Sequence, residues 1–403
     1  MNSKLSLAIL AFSPLQRDAR VLRQAQYLAP HYDITVIAYG KRPPGLHSQT
    51  KVYEITSPTG IGLLRKLRTL ILLPLGRVLP AFAYERWYWQ RSDRQSMFKL
   101  LNELSPQLIH ANDWNTLPIA ARIAHDKRAI FVADLHEYSP LQYQTYSYHG
   151  LFFNPMAHYF IRTYAIHAAA SVTVSQSIAH KYEQVYNLHP HVVMNTPAYC
   201  PDIIFKPLDN QYVNLVHHGA AVPARQLDLL IKTLALTDSR YKLHFLLINP
   251  NSKYVSQLKL LAQQIAPERV IFHPAVKPHE IVNRIAGFDM GFYLLPPTCF
   301  NQAAALPNKF FDFISAGLAV CIGPSSEMAN LTRKFGFGVV TPDFTPESAA
   351  DTLNALTTTD INHMKQRAID SRKTLSADIE MSELVNLYAD LVNKHHLGTA
   401  NER

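Results

Sequence analysis

The residues with most chemical promise lie in the run Leu306-Pro307-Asn308-Lys309-Phe310-Phe311-Asp312-Phe313-Ile314-Ser315-Ala316-Gly317. It reads as a loop entering a helix, followed by a buried strand from Leu318 to Ile322. Pro307 fixes φ and suits the first turn of a helix, where a missing N–H costs nothing. The unpaired N–H groups of that turn and the positive end of the helix dipole make a ready site for phosphate. Lys309 adds a point charge. Asp312 lies about one turn further in, where a carboxylate can accept two hydrogen bonds from a vicinal diol such as a ribose. Gly317 ends the helix. On pattern alone, the competing reading is an ordinary amphipathic helix with Lys309 and Asp312 on a solvated face.

A second group of polar residues falls where apolar runs end. Leu108-Ile109-His110-Ala111 leads to Asn112-Asp113, and Ala129 to Ala133 leads to Asp134-Leu135-His136-Glu137. Ligands of open α/β sheets gather at the carboxyl ends of strands, so two such ends suggest one site. A histidine can shuttle a proton, and a glutamate can bind hydroxyls or act as a base. His136 and Glu137 are therefore the candidate catalytic residues. A lone His–Glu pair is weak evidence, and a core histidine is the plain alternative.

The elements that must position these groups alternate along the chain. Leu5 to Phe12 reads as a strand, Asp18 caps a helix to Leu28, and Asp33 to Ala38 is the next strand. This opening lacks G-x-G-x-x-G. The alternation continues to Val192-Val193-Met194-Asn195-Thr196-Pro197, with Tyr138 to His158 aromatic and loop-like. It restarts at Val213. Two βα arrays imply two doubly wound domains: residues 1–200 and 212–378, joined by a linker at 201–211 and followed by a helix in 379–403.

Length and composition agree. The chain has 403 residues, is 48% hydrophobic and carries a net charge of +9, which fits two sizeable cores and an anionic partner. No nucleic-acid module is present. Three cysteines without CxxC pairing and nineteen histidines without HExxH spacing argue against a disulfide framework or a zinc site and fit a reducing cytoplasm. Lys4 leads directly into the first strand, so no leader is expected. Residues 60–94 stand apart. Arg65, Lys66 and Arg68 alternate with leucines, and Trp87 and Trp89 follow. Cationic, apolar and Trp-rich segments suit a bilayer interface. The alternative is a pair of helices packed on the first sheet with basic tips in water.

The string around Leu306-Pro307-Asn308-Lys309 resembles the nucleotide-sugar-binding segment of GT-B glycosyltransferases, in the large retaining family that includes sucrose and glycogen synthases and lipid mannosyltransferases. Arg17-Asp18-Ala19-Arg20-Val21 resembles that family's first helix start, and the segments at Asp113 and at Asp134-Leu135-His136-Glu137 resemble its sugar- and acceptor-side strand ends. The resemblance covers roughly residues 5–40, 105–200 and 212–345.

It implies a GT-B architecture, two Rossmann-like domains facing a central cleft. It implies a donor site of Gly219, Arg225, Leu306, Pro307, Asn308, Lys309 and Asp312, and places Arg17, Arg20, Asp113 and Asp134 on the acceptor side. It also implies transfer with retention from a nucleotide-diphosphate sugar, taken as a UDP-sugar, without a cofactor, and lets the 379–403 helix cross back to the first domain. The helix start with Arg225 and Lys309 would hold the phosphate charge without a metal, and the 60–94 segment points to a saccharide or lipid-linked acceptor at the cytoplasmic face of the inner membrane. Two positions depart from the pattern: Ala220 stands where an arginine is usual, and Ala304 where a glutamate contacts the transferred sugar. A nucleotide-sugar 2-epimerase and an inactive, membrane-attached binding module are the rival readings.

Overall fold

The computed structural model describes residues 4–57, 63–142, 147–208 and 211–397, with side chains for all of these except 63–65 and 147–149. The chain divides into two compact units, residues 1–194 with 381–403, and residues 195–380.

The first unit is built on a parallel sheet. Its strands are β1 (Ser6–Pro14), β2 (Asp33–Tyr39), β3 (Lys51–Ile55), β4 (Leu108–Asn112), β5 (Ile130–Asp134), β6 (Ala170–Thr173) and β7 (His191–Val192), in the order β3-β2-β1-β4-β5-β6-β7. The central strands are apolar and buried on both faces, as parallel strands covered by helices must be: Leu7, Ala8, Ile9 and Leu10 of β1 are fully enclosed. Leu7 pairs with Ile34 of β2 on one side and Leu108 of β4 on the other. The sheet order reverses direction between β1 and β4, which places the ends of these strands at a topological switch point. Asp18 caps the helix Ala19–Leu28, accepting from the Val21 N–H at 3.0 Å.

One expected loop is a helix. Ser147–Tyr164 is helical despite Pro155 within it. Its rings supply the packing that loop-like composition concealed. Phe160 stacks near Trp114 and meets Tyr88 edge-on, Tyr159 meets Tyr84, and Phe153 meets Trp87 edge-on. The region 60–94 is helical over Leu63–Leu75 and Pro80–Trp89.

The second unit repeats the plan. Strands β8 (Val213–Ala220), β9 (Tyr241–Ile248), β10 (Val270–His273), β11 (Met290–Tyr293), β12 (Ala319–Ile322) and β13 (Gly338–Val340) lie parallel in the order β10-β9-β8-β11-β12-β13. Here the switch point falls between β8 and β11. The expected α/β class, with two doubly wound Rossmann-like units, is borne out. The helix Asn308–Ser315 lies on this sheet because Phe313 presses onto Gly291 of β11, where a Cβ would come within 2.2 Å of the ring. Gly317 then turns the chain at φ +72° into β12, a conformation that favours glycine.

Candidate functional site

In the second unit the site grows from the end of β8. Gly219 adopts φ +106°, so the backbone turns there without a side chain in the way. A Cβ at Gly219 would lie 3.8 Å from Lys309 Nζ and 3.9 Å from an Arg225 terminal nitrogen. The two cations thus converge on the space above one glycine. Arg225 closes a 3₁₀ turn, Pro223–Arg225, and donates to the Ala220 carbonyl at 2.9 Å. A guanidinium therefore reaches the position where Ala220 itself has none.

Lys309 belongs to the first turn of Asn308–Ser315 and is buried, with Nζ 4.4 Å from the centre of the Tyr293 ring and 2.8 Å from His217 Nε2. Burial and then Arg225 push its pKa well below the ordinary lysine value, while Asp312 opposes them. Pro307 is the N-cap of this helix rather than a residue of its first turn, with ψ 146° and its carbonyl accepting from the Phe310 N–H. Asn308 is exposed and its Oδ1 accepts from Asn195 Nδ2 at 2.8 Å, while Leu306 is buried beneath the entry loop. Asp312 lies 3.4 Å from His218 Nε2, a buried atom without a hydrogen-bond partner. Burial, then Lys309 and Arg225, push the His218 pKa down to about 3, so it stays neutral.

His217 and His218 were not singled out from the sequence. The signal was available: two adjacent buried polar residues close an otherwise apolar strand, and fully buried polar side chains seldom occur without a task.

In the first unit, Asp113 follows β4 at φ +66°, and its Oδ1 lies 3.4 Å from His136 Nε2 just beyond β5. Burial, despite His136 nearby and with Glu137 and Asp134 adding to it, pushes the Asp113 pKa up to about 6. Burial opposes charge on His136, but Asp113 and then Asp134 outweigh it and raise its pKa. Both groups therefore hold a proton more readily than their free counterparts. Its other face is open to hydrogen bonding: His136 Nδ1 and both amide atoms of neighbouring Asn112 are buried without partners among the described residues. The Glu137 carbonyl accepts from the Tyr182 hydroxyl at 2.6 Å. Arg17 is exposed at the end of the turn that follows β1.

Arg20 and Asp134 correct the expectation that they face a ligand. Arg20 is buried, with Nε 2.7 Å and a terminal nitrogen 2.9 Å from the two Asp134 oxygens, and its remaining nitrogen donates to the Val193 carbonyl. Asp134 also accepts from Gln24 at 2.6 Å and lies 3.2 Å from His110, which meets the Tyr388 hydroxyl at 2.8 Å. Both charges are spent on each other and on their neighbours. Burial would raise the Asp134 pKa, but Arg20 and His110 overcome it and hold it far below the usual carboxylate range.

The basic helices divide. Trp87 is buried against Phe153 and donates to Thr69 at 3.3 Å, so it cannot insert into a bilayer. Trp89 is half-buried, donating to Glu85 at 2.9 Å and meeting Phe98 edge-on. Both tryptophans are packing residues, a correction that follows from the face on which they fall. The opposite face is exposed and apolar: Leu67, Leu70, Ile71, Val78, Leu79 and Phe82 are each about half to three-quarters accessible, and exposed Lys66, Arg68, Arg77 and Arg86 lie on the same two helices and the turn between them. The Arg65 side chain lies outside the described residues. Among the described residues, no helix is long and apolar enough to cross a membrane.

The buried network gives a test. Asp134→Ala leaves Arg20 charged and unpaired and is expected to cost about 3–5 kcal/mol, read by urea unfolding. In the wild type, the Asp134 contribution is complete above the unfolded carboxylate value of about 3.9 and is lost as pH falls further below it. The Asp134→Ala penalty should therefore shrink in acid. A loss under about 1 kcal/mol at pH 7 would contradict the pairing.

Comparison with known proteins follows this geometry. Residues 19–196 match the family described as Glycosyltransferase Family 4. No curated protein sequence matches the chain. Among solved structures, it is similar to HepE of Anabaena in complex with UDP-glucose, with TM-score 0.67 at 15% identity, covering 96% of this chain and 100% of that one. It is similar to sucrose-phosphate synthase of Thermosynechococcus elongatus, with TM-score 0.68 at 10% identity over 97% and 100% of the two chains. It is also similar to WaaG, a glycosyltransferase involved in lipopolysaccharide biosynthesis, with TM-score 0.59 at 11% identity over 93% and 98%. Residues 19–196 thus carry the match to Glycosyltransferase Family 4, and the chain as a whole has the GT-B fold.

Proposed function

We propose that this protein is a glycosyltransferase that moves a sugar from a UDP-sugar to a saccharide or lipid-linked saccharide acceptor, with retention and without a metal. We place it at the cytoplasmic face of a membrane, in the assembly of surface polysaccharide or lipopolysaccharide. The observation that carries the donor half is the convergence of Arg225 and Lys309 above Gly219, at the N-terminus of Asn308–Ser315. As the bond from the sugar to the diphosphate breaks, its electron pair leaves on the phosphate oxygen. Two cations and a helix start fixed at that oxygen stabilise the growing charge without reorganising. Asp312 is the ribose ligand in this reading. The UDP-glucose bound by HepE supports the donor class. The role of WaaG in lipopolysaccharide biosynthesis supports the pathway, and retention rests on the Family 4 match.

On the acceptor side, the Asp113–His136 pair orients His136 through Nε2 and presents its unpartnered Nδ1 to a sugar oxygen. Arg17 and Glu137 complete that side of the proposal. Attachment to the membrane is supported by the exposed apolar face of the helices Leu63–Leu75 and Pro80–Trp89. Its exposed apolar side chains, with exposed Lys66, Arg68, Arg77 and Arg86 on the same two helices and the turn between them, suit an anionic lipid surface, where each nearby Lys or Arg contributes about 1 kcal/mol.

Thermal unfolding with UDP, GDP, ADP and dTDP tests the donor. UDP at a hundredfold excess over its Kd should stabilise the protein by about 2.7 kcal/mol, and Asp312→Ala should lose most of that gain. Stabilisation by another nucleotide would change the donor, and equal gains in the mutant would remove Asp312 from the ribose. For the membrane, the triple change Lys66→Glu, Arg68→Glu and Arg77→Glu should reduce co-sedimentation with anionic vesicles by roughly tenfold or more. Unchanged co-sedimentation would sink that part of the proposal.

A further inference from the structure

We propose that His217 is a positioning residue for the diphosphate-binding lysine. Its Nε2 holds Lys309 Nζ beneath Gly219, and the site takes up a proton together with a nucleoside diphosphate. This rests on the donor reading above and goes beyond it.

The argument starts from a tautomer. His217 Nδ1 lies 3.0 Å from the Phe292 carbonyl of β11. A carbonyl oxygen can only accept, so Nδ1 carries the hydrogen. In the neutral ring Nε2 then bears a lone pair, and it faces Lys309 Nζ at 2.8 Å. Burial, then Lys309, push the His217 pKa well below its ordinary value, which keeps the ring neutral. The imidazole is locked between two neighbouring strands and Phe245 and Tyr293 flank it, so its acceptor direction is fixed. A flexible four-carbon side chain is thereby held at one point, under the glycine where Arg225 also arrives.

The charges facing Lys309 explain the proton. From β8 come His217 and His218, from the turn Pro223–Arg225 comes Arg225, and from β11 comes the Tyr293 ring. From its own helix comes Asp312. Burial and the guanidinium favour the neutral amine in the ligand-free site. A diphosphate reverses that balance, because the charged lysine can donate to both His217 Nε2 and a phosphate oxygen. Binding therefore takes up a proton wherever the free lysine is partly neutral, and affinity falls as pH rises through that range. UDP does not supply the slope. The second ionisation of a phosphate lies near 6, so its phosphates are almost fully ionised above about pH 7, and between pH 7 and about 8 the uracil ring is still neutral. A histidine that merely fills the core would influence uridine and UDP alike, and would impose no such slope.

The test titrates the full chain with UDP by calorimetry at about pH 7 and 8, where neither the phosphates nor the uracil ring change charge appreciably, in two buffers of different ionisation enthalpy, and with uridine by NMR. In the wild type, UDP binding should take up protons and weaken severalfold as pH rises, while uridine binding, with its ring still neutral, takes up none. His217→Phe should weaken UDP about tenfold or more and leave uridine within about twofold. His217→Gln, which keeps an acceptor, should recover part of the loss. UDP binding to wild type without proton uptake or pH slope overturns the proposal even if no variant folds. So does a His217→Phe protein that binds UDP like the wild type, or one that loses UDP and uridine equally. Wild-type protein that binds no UDP at any pH would defeat the donor reading itself, and this proposal with it.

Discussion

A lysine enclosed among basic neighbours is the constraint on which the second unit turns. Lys309 is buried, Arg225 reaches the same space, and the adjacent histidines of β8 are kept neutral. Gathering positive charge away from water is costly, and protein interiors tolerate it only with compensation. Here the compensation is partly internal, through the His217 lone pair and the Tyr293 ring, and in the proposed reading a diphosphate brings the rest. The surrounding architecture serves this arrangement. β8 and β11 part at the switch point, Gly219 leaves room above the cations, and Gly291 lets Phe313 seat the helix that carries Lys309 and Asp312.

The first unit solves the opposite problem. Its buried charges are matched: Arg20 meets Asp134 in two hydrogen bonds, and Gln24, His110 and Tyr388 use the remaining capacity. Tyr388 comes from the last helix, so the network ties the end of the chain to β4 and β5. Beside this sealed cluster, His136 and Asn112 keep buried polar atoms without partners among the described residues. The contrast separates what is structural from what is available to a ligand. It also explains why adjacent strand ends, alike in sequence, do different work.

The legible parts of the chain were those in which local pattern dictates local structure. The strand–helix alternation, the Asp18 cap and the entry into the helix at Asn308 follow from spacing and capping chemistry. What escaped was long-range. Arg20 finds Asp134 across 114 positions, and nothing near either residue announces the partner. The tryptophans of Pro80–Trp89 look interfacial until the helix is placed, when Trp87 turns inward while Leu67 and Leu70 of the preceding helix turn out. The helix Ser147–Tyr164 was hidden because aromatic residues and Pro155 weaken helix propensity, while tertiary packing of Phe160 and Tyr159 restores it. His217 and His218 form the informative case: a buried polar pair at a strand end was visible, but its meaning depended on Lys309, 92 residues later for His217.

The most direct measurement of the central claim is a crystal structure of the chain bound to UDP. The account predicts diphosphate oxygens within about 2.7–3.2 Å of Lys309 Nζ and of Arg225, above Gly219, with the ribose hydroxyls on Asp312. UDP bound elsewhere, or bound here with its phosphates turned away from both cations, would contradict it.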